Sequence, residues 1–205
     1  HPIRSAFAGA VTIGLMILSA GLIPYAPAAA AGLWLFAVAA HLAIGAWVVN
    51  GLLTRPREAA TLTPPLLIPL VGNILAPVFG AKLGYETLSW MLFGVGTALW
   101  MVVQPLILGR IVTGPTLPDR MKPTLVILLA PPAVGSLALA ALTQGLGPAP
   151  LAVFGFAAFT ALALATLIPT FRRIPFAMSW WGWTFPSAAF AVALLAFAHA
   201  HPAPV

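Results

Sequence analysis

The sequence predicts an all-α integral membrane protein. Of its 205 residues, 61% are apolar and only 6% are charged, with a mean hydropathy of +1.06. A soluble domain usually carries about a quarter charged residues, so this chain has too few charges to cover its own surface in water. Two further observations agree with a membrane location: the apolar residues form long stretches, and the basic residues lie near the ends of these stretches or between them.

Seven apolar stretches are candidates for transmembrane helices, because a bilayer core of roughly 30 Å needs about 20 apolar residues per helix. They cover residues 7–25, 29–53, 66–81, 87–111, 124–143, 151–171 and 176–199. The third stretch is the shortest and contains two prolines, so its limits are the least well defined. The connections between stretches contain Pro, Gly or charged residues, where chain reversals are expected.

The basic residues indicate the orientation in the membrane. With seven helices, eight of the nine fall on one side: Arg4, Arg55, Arg57, Arg110, Arg120, Lys122, Arg172 and Arg173. Lys82 alone falls on the other side. Since cytoplasmic loops carry the Lys and Arg excess, the start of the chain is predicted to be cytoplasmic. Basic residues spread over loops in this way do not form a nucleic-acid-binding patch.

The composition also argues against an enzyme. The chain has no cysteine, which excludes disulfides and thiolate metal sites. Its three acidic residues, Glu58, Glu86 and Asp119, lie in loops or at helix ends, and His41 is isolated within the second stretch. Catalysis would require clustered carboxylates, histidines or a metal motif. We therefore expect no catalytic residue, no metal and no cofactor.

Central prolines interrupt alternate stretches. They are Pro69 and Pro77 in the third, Pro131 and Pro132 in the fifth, and Pro186 in the seventh. A proline within a helix removes a backbone hydrogen bond, which membranes tolerate where neighbours or a water-filled cavity satisfy the freed groups. The alternation predicts kinked inner helices that line a path and straighter outer helices that face lipid. The alternative is that prolines are simply more common in membrane helices.

Polar side chains on the kinked stretches are candidates for contact with that path: Asn73, Thr124, Ser136 and Thr184. For each hydroxyl, a hydrogen bond to a carbonyl of its own helix is the competing interpretation. His41 and Gln104 lie on predicted outer helices. For these two, hydrogen bonds between helices are expected rather than a direct role in transport.

Four short runs resemble one known family: LAPPAVG at 129–135, SWWGWTFP at 179–186, HPIR at 1–4 and IPLVGN at 68–73. The chain resembles the tellurite-resistance/dicarboxylate transporter (TehA) family, which includes slow-type anion channels and malate and sulfite transporters. The resemblance implies ten transmembrane helices, arranged as five hairpins around a central pore, and assembly as a homotrimer. Because the opening run precedes the third helix of the family, residues 1–205 would be a fragment of one transmembrane domain. It would carry helices three to nine and lack the first two and the last.

The resemblance also implies a function and a site. Small anions would pass through the pore, which a phenylalanine on the ninth helix occludes; the matching residue here is Phe185. Without the resemblance, Phe185 is better explained as one of 12 phenylalanines, most of which pack between helices. The expected location is the inner membrane of a bacterium, with lipid and small anions as partners. The alternative function is a proton-coupled carrier for C4-dicarboxylates such as malate, or for sulfite.

Overall fold

The computed structural model describes residues 2–55 and 58–200, and side chains from residue 8 onward. Within these residues every regular element is helical. Two of the eight basic residues predicted to share one side of the membrane are affected by these limits. Arg57 lies outside the described residues, and so does the side chain of Arg4. The predicted all-α fold class is confirmed.

Nine α-helices follow one another along the described chain: α1 (Pro2–Leu22), α2 (Pro27–Thr54), α3 (Leu67–Val71), α4 (Ala76–Gly80), α5 (Glu86–Thr113), α6 (Ala130–Leu142), α7 (Pro148–Ala165), α8 (Ile168–Phe171) and α9 (Thr184–Ala200). Five 3₁₀ stretches separate some of them: Ala59–Thr61, Pro64–Leu66, Gly72–Leu75, Asp119–Leu129 and Met178–Trp183. Joined end to end, most of these elements form seven segments that correspond to the seven predicted stretches. Ala59–Thr61 and α8 lie outside these segments, so the sixth one ends at Ala165, before the predicted residue 171. Segments 1, 2, 4 and 6 are α1, α2, α5 and α7; segments 3, 5 and 7 are Pro64–Gly80, Asp119–Leu142 and Met178–Ala200.

Five of these segments are long and apolar enough to cross a membrane, namely segments 2, 4, 5, 6 and 7. Segment 3 is shorter, as its sequence suggested. Its seven 3₁₀ residues rise about 2.0 Å each and its ten α-helical residues about 1.5 Å each, which gives roughly 29 Å in total. The 3₁₀ stretches therefore let this short segment span about the thickness of a bilayer core.

The interruptions fall in segments 3, 5 and 7, while α2, α5 and α7 are continuous. The five central prolines identified from the sequence do not lie within a continuous α-helix. Each lies in the first turn of a new one: Pro69 in α3, Pro77 in α4, Pro131 and Pro132 in α6, and Pro186 in α9. The N–H groups in the first turn of an α-helix have no acceptor within that helix. Proline, which lacks an N–H, is therefore readily accommodated there.

The packing separates the odd-numbered segments from the even-numbered ones. Segment 1 packs on segment 3, segment 3 on segment 5, and segment 5 on segment 7. Each even segment lies behind two odd ones: α2 against segments 1 and 3, α5 against segments 3 and 5, and α7 against segments 5 and 7. The odd segments therefore form an inner row, and the even segments form an outer layer.

Burial agrees with this division for the two central odd segments. Segments 3 and 5 are largely buried, whereas α7 buries only Pro150 and Ala157. Large apolar side chains remain exposed along the outer layer, among them Trp47 on α2, Val102 on α5 and Phe159 on α7. In a chain this apolar, these exposed side chains form the surface that faces lipid.

Candidate functional site

A cavity of about 340 Å³ lies along the inner row. Every residue that lines it belongs to an odd-numbered segment, and all four odd segments contribute. Representative lining residues are Ile13 and Ile17 from segment 1, Val71 and Ile74 from segment 3, Ile127 and Val134 from segment 5, and Phe185 from segment 7. The odd segments thus line a shared cavity that is partly open at the surface, where Ile17 and Trp181 are exposed.

The cavity wall is almost entirely apolar. Trp181 and Thr184 are the lining residues with polar side-chain atoms, and no lining residue is charged. The Thr184 hydroxyl donates its proton to the carbonyl of Trp181 at 2.8 Å. A hydroxyl that is bonded back to its own segment offers the cavity lone pairs but no proton. The indole N–H of Trp181 remains as a neutral side-chain donor. The lining therefore presents no charged binding group to an ion.

Phe185 is the second residue of α9 and lies at the point where segment 7 changes from 3₁₀ to α-helix. Its side chain is half-buried and lines the cavity together with its neighbours Thr184 and Pro186. Phe185 and Trp181 carry the only aromatic rings among the lining residues. The phenylalanine identified from the sequence is therefore in contact with the void of the inner row.

Three α-helices begin at this cavity, and α3, which starts at Leu67, is the shortest of them. The other two are longer than ten residues. Helix α6 starts at Ala130 and α9 at Thr184, and both residues line the void. The start of a helix carries partial positive charge. However, the N–H of Ala130 donates to the carbonyl of Ile127, and that of Thr184 donates to the carbonyl of Trp181. Proline occupies the next two positions of α6 and the third position of α9, so the helix starts give the cavity a weak positive potential but few free N–H donors.

The other predicted polar groups lie away from the cavity lining. Thr124 donates to the carbonyl of Met121 at 2.6 Å, and Ser136 donates to that of Ala133 at 2.8 Å. Both therefore follow the competing interpretation, a hydrogen bond within their own helical segment. Asn73 is buried, and its Oδ1 has no hydrogen-bond donor among the described residues. Of the five predicted prolines, Pro131 and Pro186 line the cavity.

The two polar residues of the outer layer behave differently. The Nδ1 atom of His41 lies 2.6 Å from the hydroxyl oxygen of Thr12, so the predicted contact between helices is confirmed for α2 and α1. For Gln104 that prediction was wrong, because its Oε1 accepts a hydrogen bond from Trp100 within the same helix, at 2.8 Å. Trp100 and Gln104 are four residues apart on α5, and this spacing brings their side chains to one face of the helix.

Arg110 is a residue whose position the sequence analysis did not anticipate. Counted there as a loop charge, it lies in the last turn of α5 with only 7% of its surface exposed. Its Nε and Nη1 atoms have no acceptor among the described residues. Helical spacing could have indicated this, because Val103, Ile107 and Arg110 follow one another along one face and all three are buried.

Comparison with known proteins settles the family. The family model for SLAC1, the voltage-dependent anion channel, matches residues 1–205. The chain belongs to the voltage-dependent anion channel family. This confirms the resemblance inferred from the sequence runs, and the helical architecture is that of an integral membrane protein.

Members of the voltage-dependent anion channel family in Arabidopsis thaliana are similar to the chain over most of its length. S-type anion channel SLAH3 is 29% identical, over 97% of this chain and 32% of the relative. S-type anion channel SLAH2 is 28% identical, over 96% of this chain and 38% of the relative. Guard cell S-type anion channel SLAC1 is 27% identical, over 77% of this chain and 28% of the relative. The chain thus spans about a third of the length of these relatives.

Proposed function

We propose that this chain forms part of a pathway that conducts small anions across a membrane, with the cavity as its route and Phe185 as its constriction. The observation that carries the proposal is the composition of the cavity wall. Only odd-numbered segments line it, and the Phe185 ring is among the lining groups. The S-type anion channels to which the chain is similar support the choice of anions as the conducted species.

An aromatic ring in a narrow apolar passage is a physical barrier to ions. Water leaves such a constriction readily, and an ion that enters it must lose part of its hydration shell. The wall around Phe185 offers no charged group to replace that hydration. Movement or removal of the ring therefore lowers the barrier by widening and rehydrating the passage.

The rest of the lining suits flow better than tight capture. Conduction requires an ion to enter a site easily and also to leave it. The helix starts at Ala130 and Thr184 supply partial positive charge, which attracts an anion without holding it as a buried arginine or lysine would. This balance favours a channel.

The competing function is a proton-coupled carrier for C4-dicarboxylates, malate or sulfite. Proton coupling usually requires an ionisable side chain on the transport path. His41, the histidine in the interior of a described segment, is fully buried and is not among the cavity-lining residues. Its placement in the packing between α1 and α2 favours the channel over the carrier.

The proposal extends to topology and assembly. The seven segments correspond to helices three to nine of a ten-helix domain, with the start of α1 on the cytoplasmic side of a bacterial inner membrane. The distribution of basic residues supports this orientation. Each subunit of a homotrimer would contain its own pathway, because the cavity is lined within a single chain.

A matched pair of substitutions tests the constriction. In the complete protein, reconstituted in a planar bilayer, Phe185→Ala should raise anion conductance by about tenfold, equivalent to about 1.4 kcal/mol of barrier. Phe190→Ala is the control, because Phe190 lies on the same helix but stacks on Phe154, with ring centroids 5.9 Å apart, and is absent from the cavity wall. Unchanged current for Phe185→Ala at equal reconstituted amounts would exclude Phe185 as the constriction.

The same preparation separates the channel from the carrier. A channel gives a current that reverses at the Nernst potential of the anion and persists without a pH gradient. A proton-coupled carrier instead shows uptake that follows the pH gradient, and its reversal potential shifts with pH. The second result would replace the proposed function with the alternative one.

A further inference from the structure

The side chain of Arg110 is a buried cation that no carboxylate neutralises. It lies in the last turn of α5, 7% exposed, with Nε and Nη1 lacking an acceptor among the described residues. Guanidinium groups remain charged at all physiological pH values. Burial of such a charge without a partner costs several kcal/mol, so that buried charges are normally paired.

The chain has few groups that could act as the partner. It contains only three acidic residues, and none lies in the parts that the structure leaves undescribed. Asp119 forms an ion pair with Lys122 at 2.6 Å. Glu86 is at the opposite end of α5, about 36 Å away at 1.5 Å per residue. Glu58 is exposed and is in no ion pair among the described residues.

The sequence that follows Arg110 is basic rather than acidic. The connection that follows α5 contains Arg120 and Lys122, with Asp119 as its only acidic residue. This end of α5 also faces the start of segment 3, because α5 runs antiparallel to that segment and packs on Pro64–Leu66. Neither Pro64 nor Pro65 has a side-chain acceptor or a negative charge that could pair with the guanidinium.

We propose that Arg110 binds an oxyanion from outside the chain. Planar N–H donors of a guanidinium match the oxygen acceptors of sulfate, nitrate or phosphate groups. Two sources share this chemistry: a free oxyanion from solution, and the phosphate of a membrane lipid, whose headgroup lies at the level of a helix end. Arg110 is not among the cavity-lining residues, so this site is separate from the proposed conduction pathway.

Thermal unfolding of the complete, delipidated protein in detergent tests the proposal. Sodium sulfate is titrated in one arm, and phosphatidylglycerol in mixed micelles is titrated in the other. A saturable rise in melting temperature of about 3 °C or more is expected in at least one arm. Arg110→Gln should abolish that rise. Arg120→Gln, which removes an exposed arginine near the same end of the bundle, should retain it.

The outcomes separate the two sources and the failure of the idea. If sulfate raises the melting temperature and the rise depends on Arg110, the ligand is a free oxyanion. If phosphatidylglycerol does so, the ligand is the phosphate of a lipid. If Arg110→Gln does not fold, Arg110→Lys replaces it and should weaken the shift, because a single ammonium lacks the planar set of donors. No saturable shift of the wild-type protein in either arm, or an equal shift in the Arg110 and Arg120 variants, would overturn the proposal. The Phe185 conductance test is unaffected by any of these results.

Discussion

The imidazole of His41 and the hydroxyl of Thr12 join α2 to α1 inside the bundle, with 2.6 Å between Nδ1 and Oγ1. Thr12 donates its single proton to the carbonyl of Gly9 at 2.9 Å. The proton in the contact with His41 must therefore come from Nδ1. The Nε2 atom has no hydrogen-bond partner among the described residues. The imidazole ring thus serves as a structural link between an inner and an outer segment.

Thr12→Val should destabilise the protein by about 1 kcal/mol, since it removes the acceptor and leaves the Nδ1–H of His41 unpaired in the interior. Thermal unfolding of the complete protein in detergent measures the effect. Ser19→Ala is the control: Ser19 is also fully buried on α1, but its hydroxyl bonds only to Met16 of the same helix. Equal losses of stability in the two variants would show that the link to α2 contributes nothing.

Gly72→Ala should be disruptive because segment 3 passes directly over the ring of His41. A Cβ added at Gly72 would lie 2.6 Å from Cε1 and Nε2 of that ring. Overpacking of this kind costs about 1–3 kcal/mol. The control is Gly14→Ala, which adds the same methyl group to the same cavity wall but meets nothing within 4 Å. Comparable unfolding temperatures for the two variants would contradict this close packing.

Trp34→Phe tests how the outer layer holds the broken segment 3. The indole Nε1 of Trp34 donates to the carbonyl of Ala76 at 3.1 Å, at the start of α4. Loss of this bond should cost about 1 kcal/mol in the same unfolding assay, because the carbonyl is buried. Trp47→Phe, on the lipid-facing side of the same helix and 63% exposed, should have little effect. A larger loss of stability for Trp47→Phe than for Trp34→Phe would contradict the assignment of Trp34 to the buried face of α2 and Trp47 to the exposed face.

Much of the architecture could be predicted because the bilayer imposes simple rules. Apolar length gave the seven segments, and the spacing of prolines separated interrupted segments from continuous ones. The form of the interruptions was not predictable, since hydropathy does not distinguish 3₁₀ from α-helix. The 11-residue 3₁₀ stretch Asp119–Leu129 is one example. Such a stretch depends on tertiary packing rather than on local propensity.

The candidate site was only partly accessible from sequence. Phe185 was found through the resemblance of its run and not through any physical signal, since a cavity-lining phenylalanine and a packed one look alike in sequence. Arg110 was misread as a loop charge because the last turn of a helix and the following loop have similar compositions. The hydroxyls of Thr124 and Ser136 could be judged in advance only as a choice between two hydrogen-bonding modes, which the fold then decided.

The most direct test of the conduction pathway is thiol accessibility, which the absence of cysteine in this chain makes practicable. In a cysteine-free complete protein that also carries Phe185→Ala, Val134→Cys places a thiol in the cavity wall. Val102→Cys places one on the exposed outer side of α5. A negatively charged, water-soluble thiol reagent should reduce the anion current of the Val134 variant and leave that of the Val102 variant unchanged. A persistent current in the Val134 variant after exhaustive treatment, or an equal block of both variants, would contradict an anion route between the odd-numbered segments.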